Sequence, residues 1–193
     1  MLRPVIYPKN VALLEGYWLD DAERPLSLAP LLKFLSRRNR LRWIRLPSAT
    51  IEELKFNIDV CRTVTGGGIL VVGFHGSPGT IHLVETKVTL EDLSSWLGKA
   101  FGKKKDWIIF FHACRTLDVH RERIQAFMAN TNVRAVIGFR KPPDFVDSAA
   151  MHLLLIDGLQ FYRSLPRFWS RFQKLYGDLI EMTGLAVHLN GHR

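Results

Sequence analysis

The sequence has few cysteines, no long apolar run and a shortage of acidic residues. Only Cys61 and Cys114 occur among its 193 residues. Two cysteines are too few for a disulfide framework, so a reducing compartment such as the cytoplasm is expected. No stretch approaches the roughly 18 consecutive apolar residues that a membrane-spanning helix needs. The first residues lack the pattern of a secretory leader, because Pro8, Lys9 and Asn10 interrupt the apolar ones.

The shortage of acid gives the chain a strongly basic character. It has 27 Lys and Arg against 18 Asp and Glu, a net charge of +9. The basic residues form small groups, which are Arg37–Arg45, Lys103–Lys105 and the set Arg163, Arg167, Arg171. Neither zinc-finger spacing nor a paired aromatic RNA-binding signature accompanies them. A solvated basic face is the favoured interpretation, and binding of nucleic acid or of an acidic protein is an alternative without motif support.

Strand-like apolar runs alternate with helical patterns along the chain. The predicted strands are Val11–Trp18, Leu41–Leu46, Ile69–Phe74, Trp107–Phe111 and Val133–Phe139, and Thr80–Thr89 is expected to form a hairpin or an edge strand. The predicted helices are Ser27–Arg38, Ser48–Val64, Leu90–Phe101, Thr116–Met128, Phe145–Tyr162 and Ser164–Thr183, the last two completing the chain. This alternation predicts a single α/β domain over residues 1–193. Its mostly parallel sheet would have about five to six strands, with helices on both faces.

Two of the predicted strands end beside residues suited to nucleophilic chemistry. His75 follows Ile69–Phe74, and Cys114 follows Trp107–Phe111 after two intervening residues. Open α/β sheets bind ligands beyond the carboxyl ends of their strands. If the two strands are neighbours, the His75 imidazole could take the proton of the Cys114 thiol and activate it. The structural alternative for each residue is a small buried cysteine and an ordinary strand-end histidine.

Other residues near these strand ends fit the same interpretation. The N–H groups of Gly76 and Cys114 could stabilise an oxyanion, and the turn in "HGSPG" would leave room for a substrate. His112 either lines the substrate pocket or is a satisfied strand-end histidine. Cys61 falls on the apolar face of its helix and is predicted to be core. The remaining histidines have no comparable setting and are expected at the surface or in the core; they are His82, His120, His152, His188 and His192.

The segments "FHG" and "FFHACRT" resemble those of caspase-like cysteine peptidases, in particular their bacterial CHAT branch. The caspase signature is Q-A-C-[RQG]-G with a histidine about 50 residues upstream. Ala113, Cys114 and Arg115 match it, His112 replaces the glutamine and Thr116 replaces the second glycine. His75 precedes Cys114 by 39 positions. The segment "VRAVIGFRKPPDFVDSAA" is similar to the strand, loop and helix that follow the nucleophile in CHAT domains.

The resemblance implies a caspase-like three-layer sandwich and a cysteine endopeptidase acting through a thioester. His75 would be the general base and Cys114 the nucleophile, with the oxyanion hole at Gly76 and Cys114. His112 and Arg115, beside the nucleophile, would contact substrate. Arg140 would bind an acidic side chain of a peptide or protein substrate, whereas Asp144 and Asp147 would bind a basic one; the sequence leaves this choice open. No metal or other cofactor is expected.

Rival interpretations differ in what they require. An α/β-hydrolase needs G-x-S-x-G at a strand-to-helix elbow, and no serine here has that context, since Ser94 and Ser95 lie in a predicted helix. A catalytically inactive scaffold or adaptor would retain the fold and offer its basic surface to a partner. An active enzyme of this size would need control by a regulatory partner, by proteolysis or by a ligand.

Overall fold

The computed structural model describes residues 6–17, 26–39, 41–65, 68–101 and 107–191. The basic group Lys103–Lys105 and the end of the first predicted strand at Trp18 lie outside the described residues. The strands are β1 Val11–Glu15, β2 Trp43–Pro47, β3 Gly68–Gly73, β4 His75–Ser77, β5 Thr80–His82, β6 Lys87–Thr89, β7 Trp107–His112, β8 Ala135–Phe139 and β9 Leu185–Leu189. The helices are α1 Ala29–Asn39, α2 Ile51–Thr65, α3 Leu90–Phe101, α4 Arg121–Thr131, α5 Phe145–Leu159 and α6 Leu165–Thr183.

Six strands form the central sheet in the order β2-β1-β3-β7-β8-β9. The first five are mutually parallel, and β9 runs antiparallel to β8. Every residue of β1, β3, β7 and β8 is buried, as the continuous apolar runs of these strands require when both faces of a sheet are covered. The predicted α/β fold with a mostly parallel sheet is confirmed.

The helices cover both faces of the sheet and give three layers. In β3, Leu70 and Val72 point to the face covered by α2, α3 and α4, whereas Ile69 and Val71 point to the face covered by α1, α5 and α6. Alternate residues of a strand point to opposite faces, so one apolar run supplies both cores. Cys61 of α2 is fully buried in the first core, which confirms its predicted role.

The end of the chain differs from the prediction. We expected the two last helices to complete it, but Gly184 closes α6 with a φ of 66° and the next five residues form β9. Glycine adopts this left-handed conformation at little cost and so reverses the chain. The run from Leu185 to Leu189 is short and alternates only weakly, and its strand character comes from pairing with β8.

The helix predicted over Thr116–Met128 also begins later than expected, at Arg121. Arg115 has a φ of 56°, and the N–H of Asp118 donates to its carbonyl at 2.8 Å. A left-handed residue followed by a closed turn is incompatible with a helix starting at Thr116. The residues just after Cys114 are therefore a turn.

A second, smaller sheet contains β4, β5 and β6 in antiparallel order. The segment Thr80–Thr89, expected as a hairpin or edge strand, supplies β5 and β6. A two-residue turn at Pro78 and Gly79 joins β4 to β5, with Gly79 at a φ of 72°. Proline followed by a glycine with positive φ is the pattern of a type II turn.

Candidate active site

β3 and β7 lie side by side and deliver His75 and Cys114 to the same edge of the central sheet. The two strands are parallel, with Gly73 opposite His112 at their carboxyl ends. After β3 and the buried Phe74 the backbone leaves the central sheet, and His75 is the first residue of β4. After β7 the backbone turns, and Cys114 lies in that turn, partly buried.

The backbone of Gly76 packs directly on the turn that carries Cys114. A Cβ atom built on Gly76 would stand 2.7 Å from the carbonyl oxygen of Cys114, 2.6 Å from Oγ1 of Thr116 and 3.0 Å from Cβ of Ala113. Atoms at such separations overlap, so only glycine fits here without movement of its neighbours. The structure therefore brings the His75–Gly76 segment alongside Cys114.

Two hydrogen bonds hold the turn against the β4–β5 hairpin. The N–H of Gly79 donates to the carbonyl of Thr116 at 3.1 Å, and the hydroxyl of Thr116 donates to the carbonyl of Thr80 at 3.3 Å. On its other side the turn is bound to β8, because the N–H of Leu117 donates to the carbonyl of Phe139 at 3.1 Å. Thr116, where the caspase signature has glycine, thus links the Cys114 turn to the β4–β5 hairpin.

Arg115 adopts a strained conformation beside Cys114 and is held by Asp118. A left-handed conformation costs a residue other than glycine about 1 kcal/mol or more. The guanidinium donates from Nη2 and Nε to the Asp118 carboxylate at 2.7 and 3.1 Å, and both side chains are largely exposed. The ion pair fixes the Arg115 side chain next to the turn.

Burial raises the pKa of the Cys114 thiol, and a backbone hydrogen bond only partly offsets this effect. A cysteine with a raised pKa carries the proton at neutral pH, and the thiol is a poor nucleophile compared with the thiolate. Chemistry at Cys114 therefore requires a base that removes the proton at the moment of attack.

His112 lies in the interior. Its ring is within 5.4 Å of the His152 ring and 5.7 Å of the rings of Phe110 and Phe139, measured between centroids. Desolvation lowers the pKa of His112 to about 4. The structure thus places His112 between the sheet and α5, with only 5% of its surface exposed, and does not bring it to the surface beside Cys114.

The three remaining candidates lie along the segment that follows β8. Arg140 is exposed, and its N–H donates to the carbonyl of Gly184 at 2.9 Å. Asp144 caps α5 by accepting hydrogen bonds from the N–H groups of Val146 and Asp147 at 2.8 and 3.4 Å. Asp147, half-buried, lies in the first turn of α5. Both carboxylates are thus held at the helix N-terminus, where the positive end of the helix dipole stabilises them.

An open groove borders the β4–β5 hairpin and the segment that follows the Cys114 turn. Its volume is about 430 Å³, and it lies between the hairpin tip and the chain that follows the Cys114 turn. The lining residues are Pro78, Asp118, Val119, His120 and Arg123. The groove begins four residues beyond Cys114, at Asp118, and Cys114 itself is not among its lining residues.

His82 also belongs to this region, although it was expected only as an ordinary surface or core histidine. It lies on β5 directly opposite His75, and its Nε2 is 2.8 Å from the Ser77 hydroxyl. The signal was the "SPGT" segment, because a two-residue turn at Pro78 and Gly79 pairs Ser77 with Thr80 and hence His75 with His82.

Neither a metal site nor a membrane span is found in the part of the chain that the structure describes. No three or more His, Cys, Asp or Glu side chains there are grouped so that they could hold a metal ion. No helix among the same residues is long and apolar enough to cross a membrane.

Comparison with known proteins supports the fold through structure and not through sequence. No protein-family model matches the chain, and no curated protein matches it significantly. A secreted C11 cysteine protease from Bacteroides thetaiotaomicron, solved with an irreversible peptide inhibitor, superposes with a TM-score of 0.54 and 10% identity, over 95% of this chain. This chain spans 66% of that protease. Caspase-1 from Spodoptera frugiperda superposes with a TM-score of 0.54 and 11% identity, over 97% of this chain and 90% of the caspase.

These similarities show a caspase-like fold. At such low identity they carry no information about individual residues, and the CHAT branch, the single-domain organisation and the cytoplasmic location stay predictions. The pairing of His75 with Cys114 also stays a prediction.

Proposed function

We propose that this chain is a cysteine peptidase of the CHAT branch of the caspase-like fold, with Cys114 as nucleophile and His75 as general base. The close approach of Gly76 to the carbonyl of Cys114 carries the proposal. This contact supports the pairing because the residue after the proposed base lies against the proposed nucleophile, at the carboxyl edge of a parallel sheet where α/β proteins bind ligands. This chain spans only 66% of the C11 protease, so its activity on peptides is part of what we propose.

Acylation starts from the protonated thiol. The His75 imidazole takes the proton from Sγ of Cys114, and the sulfur attacks the carbonyl carbon of the scissile peptide bond. The carbonyl oxygen gains the negative charge, and the N–H groups of Gly76 and Cys114 donate hydrogen bonds to it. When the C–N bond breaks, His75 returns its proton to the leaving amine and a thioester remains on Cys114.

Deacylation repeats the sequence with water. His75 removes a proton from a water molecule, whose oxygen attacks the thioester carbonyl. The C–S bond breaks, a carboxylic acid leaves and the proton returns to the sulfur. The cycle involves no change of oxidation state, and it needs no cofactor.

The raised pKa of Cys114 determines how the pair must work. Without a base the thiol would react slowly at neutral pH, so the reactivity of Cys114 should depend on His75. This dependence is the most direct property to measure, because it requires no knowledge of the natural substrate.

The test uses electrophilic peptide probes bearing arginine, lysine or aspartate at the reacting end, with adducts located by mass spectrometry. We expect labelling at Cys114 in the wild type and none in Cys114→Ala. His75→Ala should slow labelling by about 100-fold or more, as expected when a general base is removed. Lys99→Ala, an exposed substitution on α3, is the control and should label at the wild-type rate.

The preferred probe identifies the specificity. Preference for aspartate would assign substrate binding to Arg140, and preference for arginine or lysine would assign it to Asp144 or Asp147. Charge-reversing variants at the assigned position should then weaken labelling without abolishing it.

Two results would contradict the peptidase. Labelling of Cys114 that is equally fast in His75→Ala would mean that the thiol is merely accessible. A failure of all three probes to label Cys114 would favour the alternative, a catalytically inactive adaptor that uses its basic surface to bind a partner.

A further inference from the structure

The small sheet has one buried and one open face. Strand side chains alternate between faces, and the inner residues Ile81 and Val88 are buried while Gly76 meets the Cys114 turn. The register of β4, β5 and β6 forms two cross-strand rows, one of His75, His82 and Lys87 and the other of Ser77, Thr80 and Thr89.

The second row anchors the middle residue of the first. The Ser77 hydroxyl lies 2.8 Å from Nε2 of His82 and 2.7 Å from the hydroxyl of Thr80. The Thr80 hydroxyl can donate to the Ser77 hydroxyl, which in turn can donate to Nε2 of His82. This ring nitrogen then accepts a hydrogen bond, as it does in a neutral imidazole. The His82 ring is thereby fixed in orientation.

His82 stands between the side chains of His75 and Lys87. In register, His75 of β4 is opposite it on one side and Lys87 of β6 on the other. Desolvation, Lys87 and His75, in this order, lower the pKa of His82. Among the described residues of the neighbouring elements, the acidic side chains are Glu85, exposed in the turn between β5 and β6, and two residues of α3, Asp92, which binds Thr89, and Glu91, which pairs with Arg123. A positive charge on His82 would thus lie beside the ammonium group of Lys87 and the ring of His75.

We propose that His82 is a positioning residue for the candidate base His75. Anchored by Ser77 and Thr80, its neutral ring packs beside the His75 imidazole, limits the orientations of that ring and separates it from the ammonium group of Lys87. Directly opposite residues in antiparallel strands have Cβ atoms about 5 Å apart, within contact distance for two imidazoles. This inference rests on the proposed peptidase function of His75 and Cys114.

The arrangement has a consequence for catalysis. His75 becomes a cation when it takes the proton of Cys114. A neutral His82 does not oppose this charge, whereas a protonated His82 would repel it. Acidification should therefore reduce the rate through two groups, His75 and His82, and not through His75 alone.

The first test measures the coupling of the two rings and needs no activity. The imidazole pKa values are followed by NMR titration in the wild type, His75→Gln, Lys87→Met and Lys99→Met. Loss of the neighbouring charge in His75→Gln and in Lys87→Met should raise the pKa of His82 by roughly half a unit. Lys99→Met, which removes an exposed charge on α3, should leave it unchanged. An unchanged His82 in both of the first two variants would overturn the proposal.

The second test measures the effect on chemistry at Cys114. His82→Gln keeps a hydrogen-bonding group and cannot be protonated, whereas His82→Phe also loses the bond to Ser77. We expect kcat/KM, or the rate of probe labelling, to fall less than about threefold in His82→Gln at neutral pH and about tenfold in His82→Phe, with KM nearly unchanged. The acid limb of the pH profile should become shallower in both.

The two proposals fail differently. If His75→Ala does not slow labelling of Cys114, the peptidase is wrong whatever His82 does. If His75 is required but the acid limb keeps the same slope in His82→Gln, His82 has only a structural role and this inference is wrong.

Discussion

Gly76 lies directly against the backbone carbonyl of Cys114, whose oxygen would be 2.7 Å from a Cβ atom built on the glycine. Position 76 requires glycine because of this contact. Its backbone conformation does not require it, since Gly76 is not among the described glycines with positive φ. The nearest atoms are the backbone carbonyl of Cys114 and the hydroxyl of Thr116, which itself bonds to Thr80. The two loops, the β4–β5 hairpin and the Cys114 turn, are thus joined to each other by atoms that cannot easily move aside.

Gly76→Ala should force the loops apart and disable the site. The added methyl group overlaps backbone as well as side-chain atoms, and overpacking of this kind costs about 1–3 kcal/mol. We expect a lower free energy of unfolding in urea and a loss of at least tenfold in the labelling rate of Cys114. The control is Gly177→Ala in α6, where a Cβ would meet nothing within 4 Å. That variant should be as stable as the wild type or more stable by about 0.5–1 kcal/mol. Equal effects of the two substitutions would contradict the importance of the contact.

Acid should destabilise the fold through His112 and His152. Burial lowers the pKa of both, to about 4 for His112, and the charge of His112 lowers that of His152 further. In the unfolded chain a histidine has a pKa of about 6.5, so below that pH the unfolded state binds more protons. This part of the stability is complete above pH 6.5 and is lost as the pH falls towards 4. Between pH 7.5 and pH 5 the free energy of unfolding should fall by about 2 kcal/mol through His112 alone, and by more through the two histidines together.

The variant His152→Phe tests whether the buried histidines cause this pH dependence of stability. The ring would pack near Phe110, which already lies 5.7 Å from the His152 ring, and one of the two titrating groups would be gone. The difference in unfolding free energy between pH 7.5 and pH 5 should shrink, whereas His120→Gln, at an exposed position, should not change it. A pH dependence identical to wild type in His152→Phe would refute the assignment.

Lys9 should stabilise the fold by closing the end of α5. Its ammonium group donates to the carbonyls of Leu159 and Tyr162 at 2.6 and 2.9 Å, beyond the last residues that helix hydrogen bonds satisfy. Lys9→Met leaves these carbonyls without that donor and should lower the free energy of unfolding by about 1–3 kcal/mol. Lys99→Met removes the same charge from an exposed position and should change it by less than about 0.5 kcal/mol. Similar losses in both variants would show that only net charge matters.

Removal of the chain from Leu165 onward should abolish folding. Leu165, Phe168 and Phe172 are buried against the sheet, and each contributes about 1.5–3 kcal/mol. The deletion also exposes the edge of β8, which β9 covers. We expect loss of the cooperative thermal transition by circular dichroism. A chain ending at Asn190 should keep that transition, and a folded protein without α6 would refute the expectation.

The sequence predicted the parallel sheet and its cores because the evidence for them is local. An apolar run such as Ile69–Phe74 is compatible with few environments other than a strand covered on both faces, and α3 was predicted with its observed bounds. By contrast, β9 has weak local character and becomes a strand through its partner β8. The turn at Thr116 was predicted as helix because its conformation depends on contacts with Thr80 and Phe139, both distant in sequence.

The candidate site was likewise predictable from the sequence only in part. From the amino-acid sequence come the residue types and their places at strand ends, His75 with Gly76 and Cys114 with Arg115, since the end of a buried run is visible in one dimension. Tertiary structure decided which groups meet. It placed Gly76 on the Cys114 carbonyl, buried His112 against His152 and set His82 opposite His75. Strand order and loop docking depend on packing between segments far apart in the chain, and the pattern within any one segment does not contain that information.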